Sequence, residues 1–203
     1  MMTFETFLSF TLTCIAIELT PGPNMTYLAL LSAMHGRKAG FSAIVGIGLG
    51  LSIIGVGTAL GAAAIITQSP ILYATMRWVG VAYLLWLAYD CWRGEDGVAT
   101  SDEGYDPRYF TRGLITNLLN PKAALFYITV IPAFTQPEAA ILPQALTLTA
   151  AYVGVATTIH IVIVLLGARI KPYLENERIA HYARYFFAAL LVVIAIWFAL
   201  SSR

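Results

Sequence analysis

Two ionisable side chains of opposite charge lie inside long apolar runs of this sequence, each beside a proline. Glu18 precedes Pro21 by three residues, and Lys122 directly follows Pro121. A charge at the centre of a bilayer costs about 2.5–3.5 kcal/mol on insertion scales, so such residues usually have a partner or line a pathway. If the prolines face each other, Glu18 and Lys122 form either a plain ion pair between helices or a binding site; otherwise the two side chains snorkel to a membrane interface. In the second case Glu18 accepts an ammonium or a proton, and Lys122 binds a carboxylate.

Both prolines belong to helix-breaking motifs. The first is Glu18-Leu19-Thr20-Pro21-Gly22-Pro23-Asn24, and the second is Asn117-Leu118-Leu119-Asn120-Pro121-Lys122. Proline removes a backbone donor and clashes with the carbonyl four residues back, which predicts unpaired carbonyls at Ile17, Leu19 and Asn117. Such groups need protein or water partners in lipid, so a double break is costly unless it lines a cavity. The structural alternative is a pair of simple proline kinks.

The same motifs predict helix starts near the middle of the membrane. Thr20-Pro21 and Asn120-Pro121 each combine a favoured N-cap residue with proline at the first helical position. Free N–H groups at a helix start bind anions, and unpaired carbonyls with Glu18 would bind an ammonium, so a small zwitterion fits both. The predicted substrate or ion site consists of Glu18, Thr20, Pro21, Gly22, Pro23, Asn24, Asn117, Asn120, Pro121 and Lys122.

The elements that position these motifs are apolar enough to cross a membrane. Of the 203 residues, 59% are hydrophobic and 11% are charged, and no charged residue occurs between Ala39 and Met76. Runs of about 20 apolar residues span a bilayer. The sequence therefore predicts an all-α polytopic membrane protein with six transmembrane helices, of which helices one and four are broken. The predicted spans are Phe4–Leu31, Ala39–Ile66, Ile71–Trp92, Arg112–Pro132, Leu142–Ala168 and Tyr182–Leu200.

The distribution of Lys and Arg predicts how these spans are oriented. One alternate set of loops contains Arg37, Lys38, Arg93, Arg108, Arg112, Arg169, Lys171, Arg178 and Arg184, whereas the other contains Arg77 and Arg203. Basic loops stay in the cytoplasm, so both termini are expected outside. If the first segment instead lies flat or re-enters, five spans remain.

The predicted spans form two copies of one pattern. Shifts of 100, 106 and 107 residues align spans one to three with spans four to six. Identical pairs include Phe10/Phe110, Pro21/Pro121, Tyr27/Tyr127, Gly48/Gly154 and Arg77/Arg184. Because each copy has three spans, the second enters from the opposite face, which predicts two inverted three-helix repeats around a central site. Residues 1–203 then form a single transporter domain, with repeat one at 1–93, a cytoplasmic loop at 94–109 and repeat two at 110–203.

Other residues in the spans indicate a role less clearly than the two helix-breaking motifs do. His160 is either a packing residue or a proton relay, and its repeat partner is the apolar Ile54. A glycine stripe on the second span predicts close helix packing, within the monomer or across a homodimer. The stripe consists of Gly46, Gly50, Gly57 and Gly61.

Several functional classes lack support in the sequence. There is no basic patch with interleaved aromatic residues for nucleic acid, no metal-ligand spacing, no sign of a cofactor and no nucleophile–base pair for an enzyme. A membrane thiol-redox relay would need paired cysteines on facing helices. The chain has Cys14 and Cys91, and Leu114 stands at the repeat position of Cys14.

Four motifs also match a known family. They are Thr20-Pro21-Gly22-Pro23-Asn24, the glycine-rich second span, Arg77-Trp78-Val79-Gly80-Val81-Ala82-Tyr83-Leu84, and Asn120-Pro121-Lys122-Ala123 followed by Phe126. With these motifs the chain resembles the lysine exporter / homoserine-threonine resistance (LysE/RhtB) family of amino-acid exporters over nearly its whole length.

That resemblance implies a proton-driven antiporter in the inner membrane, surrounded by lipid, that exports a small amino acid or a derivative by alternating access. Some relatives have an acid after the glycines of span two, where this chain has Leu51. If that acid couples transport to a proton, Glu18 would have to do so in this chain. The alternative is a cation or metal-ion exporter of similar fold.

Overall fold

The computed structural model describes residues 3–20, 22–61, 70–93, 107–136, 139–174 and 177–201. All regular secondary structure within these ranges is helical, in agreement with the predicted all-α membrane protein. The helices are α1 Phe4–Glu18, α2 Pro23–His35, α3 Arg37–Ala59, α4 Pro70–Arg93, α5 Pro107–Leu118, α6 Pro121–Ala133, α7 Ile141–Ala168, α8 Lys171–Leu174 and α9 Glu177–Ser201.

Proline and glycine determine where several helices begin and end. A proline is the first residue of α2, α4, α5 and α6. At this position the missing N–H costs nothing, because a helix leaves its first donors unpaired anyway. Gly36 ends α2 and precedes α3 with a φ of 84°, a conformation that favours glycine. The two helices can therefore turn sharply without a loop between them.

Both predicted helix breaks are present. α1 ends at Glu18 and α2 begins at Pro23, while α5 ends at Leu118 and α6 begins at Pro121. The α5–α6 pair is bent by 54° at its break. By length and hydropathy, α3 and α7 qualify as membrane spans among the described helices, and the bent pair qualifies as a third.

Other predicted boundaries are close to the observed ones, except that α5 and α9 begin at Pro107 and Glu177, each about five residues before the predicted span. α7 begins one residue before the predicted fifth span. α5 begins at Pro107, so the last three residues of the predicted loop at 94–109 are helical. α3 ends at Ala59, and the end of the predicted second span at 62–66 lies outside the described residues, as do residues 94–106 of the loop.

The helices pack around α3 and α7. These two helices contact each other; α3 also packs against α5, α7 packs against α1 and α2, and α4 packs against α9. Fully buried side chains at the centre come from separate helices and include Leu28, Ile47, Leu148 and Leu191. An aromatic cluster from α1, α6 and α7 fills the space beside the first break, with Phe10, Phe126, Tyr127 and Tyr152 as members.

Glycines allow α3 and α5 to approach backbone to backbone. A Cβ at Gly46 would collide with the Phe110 carbonyl, and one at Gly50 would lie 2.7 Å from the Asn117 side-chain nitrogen. This glycine face thus packs within the chain. Gly61 differs from the expected stripe, because it lies beyond the end of α3 with a φ of 95° and has open space around it. Gly57 is half-buried within α3.

The α3–α5 contact predicts that Gly46→Ala destabilises the protein. The new methyl would meet a backbone carbonyl that cannot rotate away, and such overpacking costs about 1–3 kcal/mol. Thermal unfolding in detergent would show a lower Tm. Gly154→Ala is the matched control, since nothing lies within 4 Å of its Cβ position. Equal Tm values for the two variants would contradict the contact.

Candidate functional site

The two helix breaks border one small central cavity. It has a volume of about 10 Å³, which is room for about one water molecule. Its lining residues are Glu18, Gly22, Asn24, Met25, Asn120, Lys122, Ala123 and Tyr152. The structure therefore brings together residues from both breaking motifs, which are about a hundred positions apart in sequence.

Glu18 lies at the end of α1 and is buried, with 6% of its surface exposed. The Tyr152 hydroxyl donates a hydrogen bond of 2.6 Å to Glu18 Oε1. His160 Nε2 lies 3.7 Å from Glu18 Oε2, which is too long for a hydrogen bond. Tyr152 and His160 both belong to the buried face of α7. One carboxylate thus faces two polar side chains of a single helix.

The aromatic cluster holds Tyr152 in place. Its ring stacks on Phe126 with centroids 3.7 Å apart, and Tyr127 meets it edge-on at 5.4 Å. Aromatic contacts of this kind stabilise by about 0.5–1.5 kcal/mol beyond their buried area. The hydroxyl of Tyr152 is therefore held at Glu18 by packing that does not depend on the hydrogen bond.

Lys122 also lines the cavity and does not pair with Glu18. No ion pair within 4.0 Å joins these two described residues. The Lys122 Nζ instead donates a hydrogen bond of 2.6 Å to the carbonyl of Thr20. Its Cδ would lie 3.3 Å from a Cβ at Gly22, so glycine there leaves room for the lysine. Two opposite charges consequently border one cavity without neutralising each other by direct contact.

A buried amide pair links the two breaks a second time. Asn24 Nδ2 donates a hydrogen bond of 2.9 Å to Asn117 Oδ1. Asn24 Oδ1, Asn117 Nδ2 and His160 Nε2 are buried, and no described residue forms a hydrogen bond with them. A buried polar group without a partner costs about 1–3 kcal/mol, so these atoms remain available for a ligand or a proton.

The helix starts agree with the prediction at one break and differ at the other. Asn120 caps α6, because its side-chain oxygen accepts a hydrogen bond of 3.0 Å from the backbone of Lys122, and Pro121 is the first helical residue. At the first break α2 begins at Pro23, with Gly22 as an N-cap that makes no side-chain bond. The Thr20 hydroxyl instead donates to the Ala16 carbonyl, so the predicted Thr20 cap is wrong.

The prediction of unpaired carbonyls is also wrong for Ile17 and Asn117. The Ile17 carbonyl accepts a bond of 3.1 Å from the Thr20 amide, and the Asn117 carbonyl accepts one of 2.9 Å from the Asn120 amide. At each break the chain tightens into a three-residue turn, and a nearer amide replaces the donor that proline lacks. Pro21, part of the predicted site, lies outside the described residues.

Tyr152 is a site residue that the motif search missed. Its signal is a buried stripe along α7, in which Tyr152, Ala156 and His160 follow one another every four residues. A polar side chain on such a stripe in an apolar helix points inward rather than to lipid. The inward-facing position of Tyr152, together with the buried acid Glu18, indicates a candidate site residue.

The described part of the chain contains no cluster of three or more His, Cys, Asp or Glu that could hold a metal ion. Cys14 is buried in α1 and Cys91 is half-buried in α4, and no disulfide bond joins them.

Comparison with known proteins identifies one matching family and several proteins of similar sequence. The sequence pattern of the LysE type translocator family matches residues 15–202. The chain is 33% identical over 174 residues to the homoserine/homoserine lactone efflux protein of Salmonella typhi, which covers 82% of this chain and 80% of that protein. The Salmonella typhimurium protein of the same name is 32% identical with the same coverage. An uncharacterized membrane protein of Vibrio cholerae is 26% identical over 181 residues, 88% of each chain. No solved structure matches the chain significantly.

The amide pair predicts energetic coupling between the two breaks. Asn24→Ala and Asn117→Ala should each lower the free energy of unfolding by about 1–3 kcal/mol, since each leaves a buried amide without its partner. The double variant should lose less than the sum, with a coupling of at least about 0.5 kcal/mol. Unfolding in detergent measures these values. Thr158→Ala, which removes an exposed hydroxyl bonded within its own helix, is the control. Additive losses at the two asparagines would contradict the pairing.

Proposed function

The chain belongs to the LysE type translocator family, and from this premise we propose that it exports a small amino acid or an amino-acid derivative. It is a multi-pass membrane transporter rather than an enzyme. The homoserine and homoserine lactone named for its Salmonella relatives support the substrate class. Both compounds are small, and both have an ammonium group.

The observation that supports this proposal most is the cavity between the breaks, which is lined by two unlike charges, Glu18 and Lys122. The substrate ammonium binds the Glu18 carboxylate and the unpaired Oδ1 of Asn24. The substrate carboxylate binds Lys122, whose ammonium then leaves the Thr20 carbonyl. Each charge of a zwitterion thus meets an opposite charge in a site with little water, where hydrogen bonds to charged groups are strong.

Transport through this site requires movement. A cavity of about 10 Å³ cannot hold an amino acid, so the substrate-bound form is wider than this one. The Lys122–Thr20 and Asn24–Asn117 hydrogen bonds join the two breaks and have to open together. We propose alternating access, in which the broken helices separate first toward one face of the membrane and then toward the other.

Glu18 is also the proposed site of proton coupling. A proton that arrives from outside neutralises the carboxylate and releases the ammonium, and its departure to the cytoplasm restores the binding site. His160, at 3.7 Å from Glu18 and with a buried unpartnered nitrogen, is the proposed relay. Tyr152 donates to the charged carboxylate and stabilises that form between cycles.

The arrangement of helices supports two inverted repeats in a single domain of six spans. Each half contains a short helix, a break, a second short helix and then two long ones, namely α1 to α4 and α5 to α9 with the one-turn α8 between. Equivalent contacts also occur in pairs, since α3 packs on α5 and α7 packs on α1. α4 and α9 contain 24 and 25 residues, enough to cross the lipid bilayer. We place the basic loops in the cytoplasm and both termini outside the inner membrane.

A metal-ion exporter has less support than an amino-acid exporter. Glu18 is the only acid among the described residues that line the cavity, and metal ions are bound by several ligands at once.

Export by this site predicts that Glu18→Gln abolishes efflux. In bacteria loaded with a homoserine-containing dipeptide, the wild-type chain should accelerate the appearance of homoserine outside. The glutamine variant should lose at least about 90% of that gain, since losing a charge from a desolvated pair costs at least about 1.5 kcal/mol. Amino-acid analysis of the medium measures both.

Glu5→Gln is the matched control, because Glu5 is an exposed acid on the same helix. Its efflux should equal that of the wild type. Full efflux by the Glu18→Gln variant at equal amounts in the membrane would refute the role of Glu18. A wild-type chain that accelerates the efflux of no amino acid would refute the function itself.

A further inference from the structure

A second cavity lies further along α2 than the central one, toward the C-terminal end of that helix. It has a volume of about 40 Å³ and is bordered by α2, α4, α5 and α9. Most of its lining is apolar, but Asp90 and Arg112 place two opposite charges in it. We call it the Arg112 pocket. Each charge at the wall of an apolar pocket has lost part of its hydration, which costs free energy. Two such charges in one pocket therefore indicate a function.

The two charges of the Arg112 pocket pair with each other. Arg112 Nη1 lies 3.0 Å from Asp90 Oδ2, and the two side chains are 20% and 19% exposed. The guanidinium also lies over the Trp86 ring, 5.4 Å from its centroid. The Tyr83 hydroxyl donates a hydrogen bond of 3.4 Å to the backbone carbonyl of Arg112. The arginine is therefore held with its planar group oriented, yet part of its surface remains exposed.

We propose that the Arg112 pocket is the intake site, where a zwitterionic amino acid first binds before it reaches the central cavity. The carboxylate of the substrate takes the place of Asp90 on the Arg112 guanidinium, and its ammonium binds the released Asp90 carboxylate. Every charge keeps a partner throughout this exchange, so no desolvated charge is left alone. The inference rests on the proposed export function and adds the site at which the substrate is recognised.

The position of the pocket fits this order of events. Its charged rim adjoins the basic segments at Arg37-Lys38 and Arg93, the side that the positive-inside rule places in the cytoplasm. α2 borders both cavities, with Asn24 at the central one and Tyr27 at the pocket, about one helical turn apart. α5 carries both Arg112 and Asn117. The Asn24–Asn117 bond thus joins the two helices that an incoming substrate has to separate.

Homoserine and homoserine lactone distinguish the two halves of the site, because the lactone has the ammonium but no carboxylate. Uptake into inside-out membrane vesicles, which expose the cytoplasmic face, gives KM and Vmax for each compound. Mildly acidic buffer keeps the lactone closed and its amine protonated.

Arg112→Gln should raise KM for homoserine about tenfold or more and KM for the lactone less than about threefold. Asp90→Asn should raise KM for both compounds, with Vmax nearly unchanged.

The double variant Asp90→Asn/Arg112→Gln tests the structural explanation, in which the ion pair merely ties α4 to α5. It removes both charges of the ion pair together, so a structural tie predicts that KM for homoserine returns toward the wild-type value. The intake site predicts that this KM stays raised about tenfold or more. Recovery in the double variant, or equal KM changes for both compounds in Arg112→Gln, would overturn the inference. A wild-type chain that moves neither compound would refute the proposed function and the inference with it.

Discussion

The burial of the Glu18 carboxylate is the constraint around which the centre of this molecule is arranged. A carboxylate removed from water is costly unless its oxygens have partners, and here the Tyr152 hydroxyl supplies one. That hydroxyl is in place because the tyrosine ring stacks on Phe126, which belongs to the helix that starts at the second break. α1, α6 and α7 are thus joined through one acid and the aromatic rings that surround its donor.

The two helix breaks explain how so short a chain can form a polar site in an apolar environment. Each break exposes backbone groups, and three-residue turns pair the carbonyls of Ile17 and Asn117 locally. The Thr20 carbonyl receives the ammonium of Lys122 from the opposite break. A lysine that satisfies a backbone carbonyl is a replaceable partner, because a substrate carboxylate can attract it away. Glycine at position 22 leaves space for that movement.

Much of this arrangement follows from local sequence signals, and the remainder depends on tertiary contacts. The breaks and the cap at Asn120 were predictable, because proline acts on its own backbone neighbours. The juxtaposition of Glu18 and Lys122 was predictable from the repeat, but the details of their contacts were not. The Lys122 ammonium lies on the Thr20 carbonyl and not within 4.0 Å of the acid. The Asn24–Asn117 bond joins residues 93 positions apart, and no local pattern encodes such a pair.

Substrate protection of a cysteine in the central cavity would test the account most directly. Met25 lines that cavity, so Met25→Cys in a Cys14→Ala/Cys91→Ala background places one thiol there. Ile170→Cys, exposed between α7 and α8, is the control thiol. The account predicts that homoserine slows maleimide labelling at position 25 alone, with half-protection near the KM for export. Labelling that is unchanged by saturating homoserine, in a variant that still exports it, would show that the substrate does not bind between the two breaks.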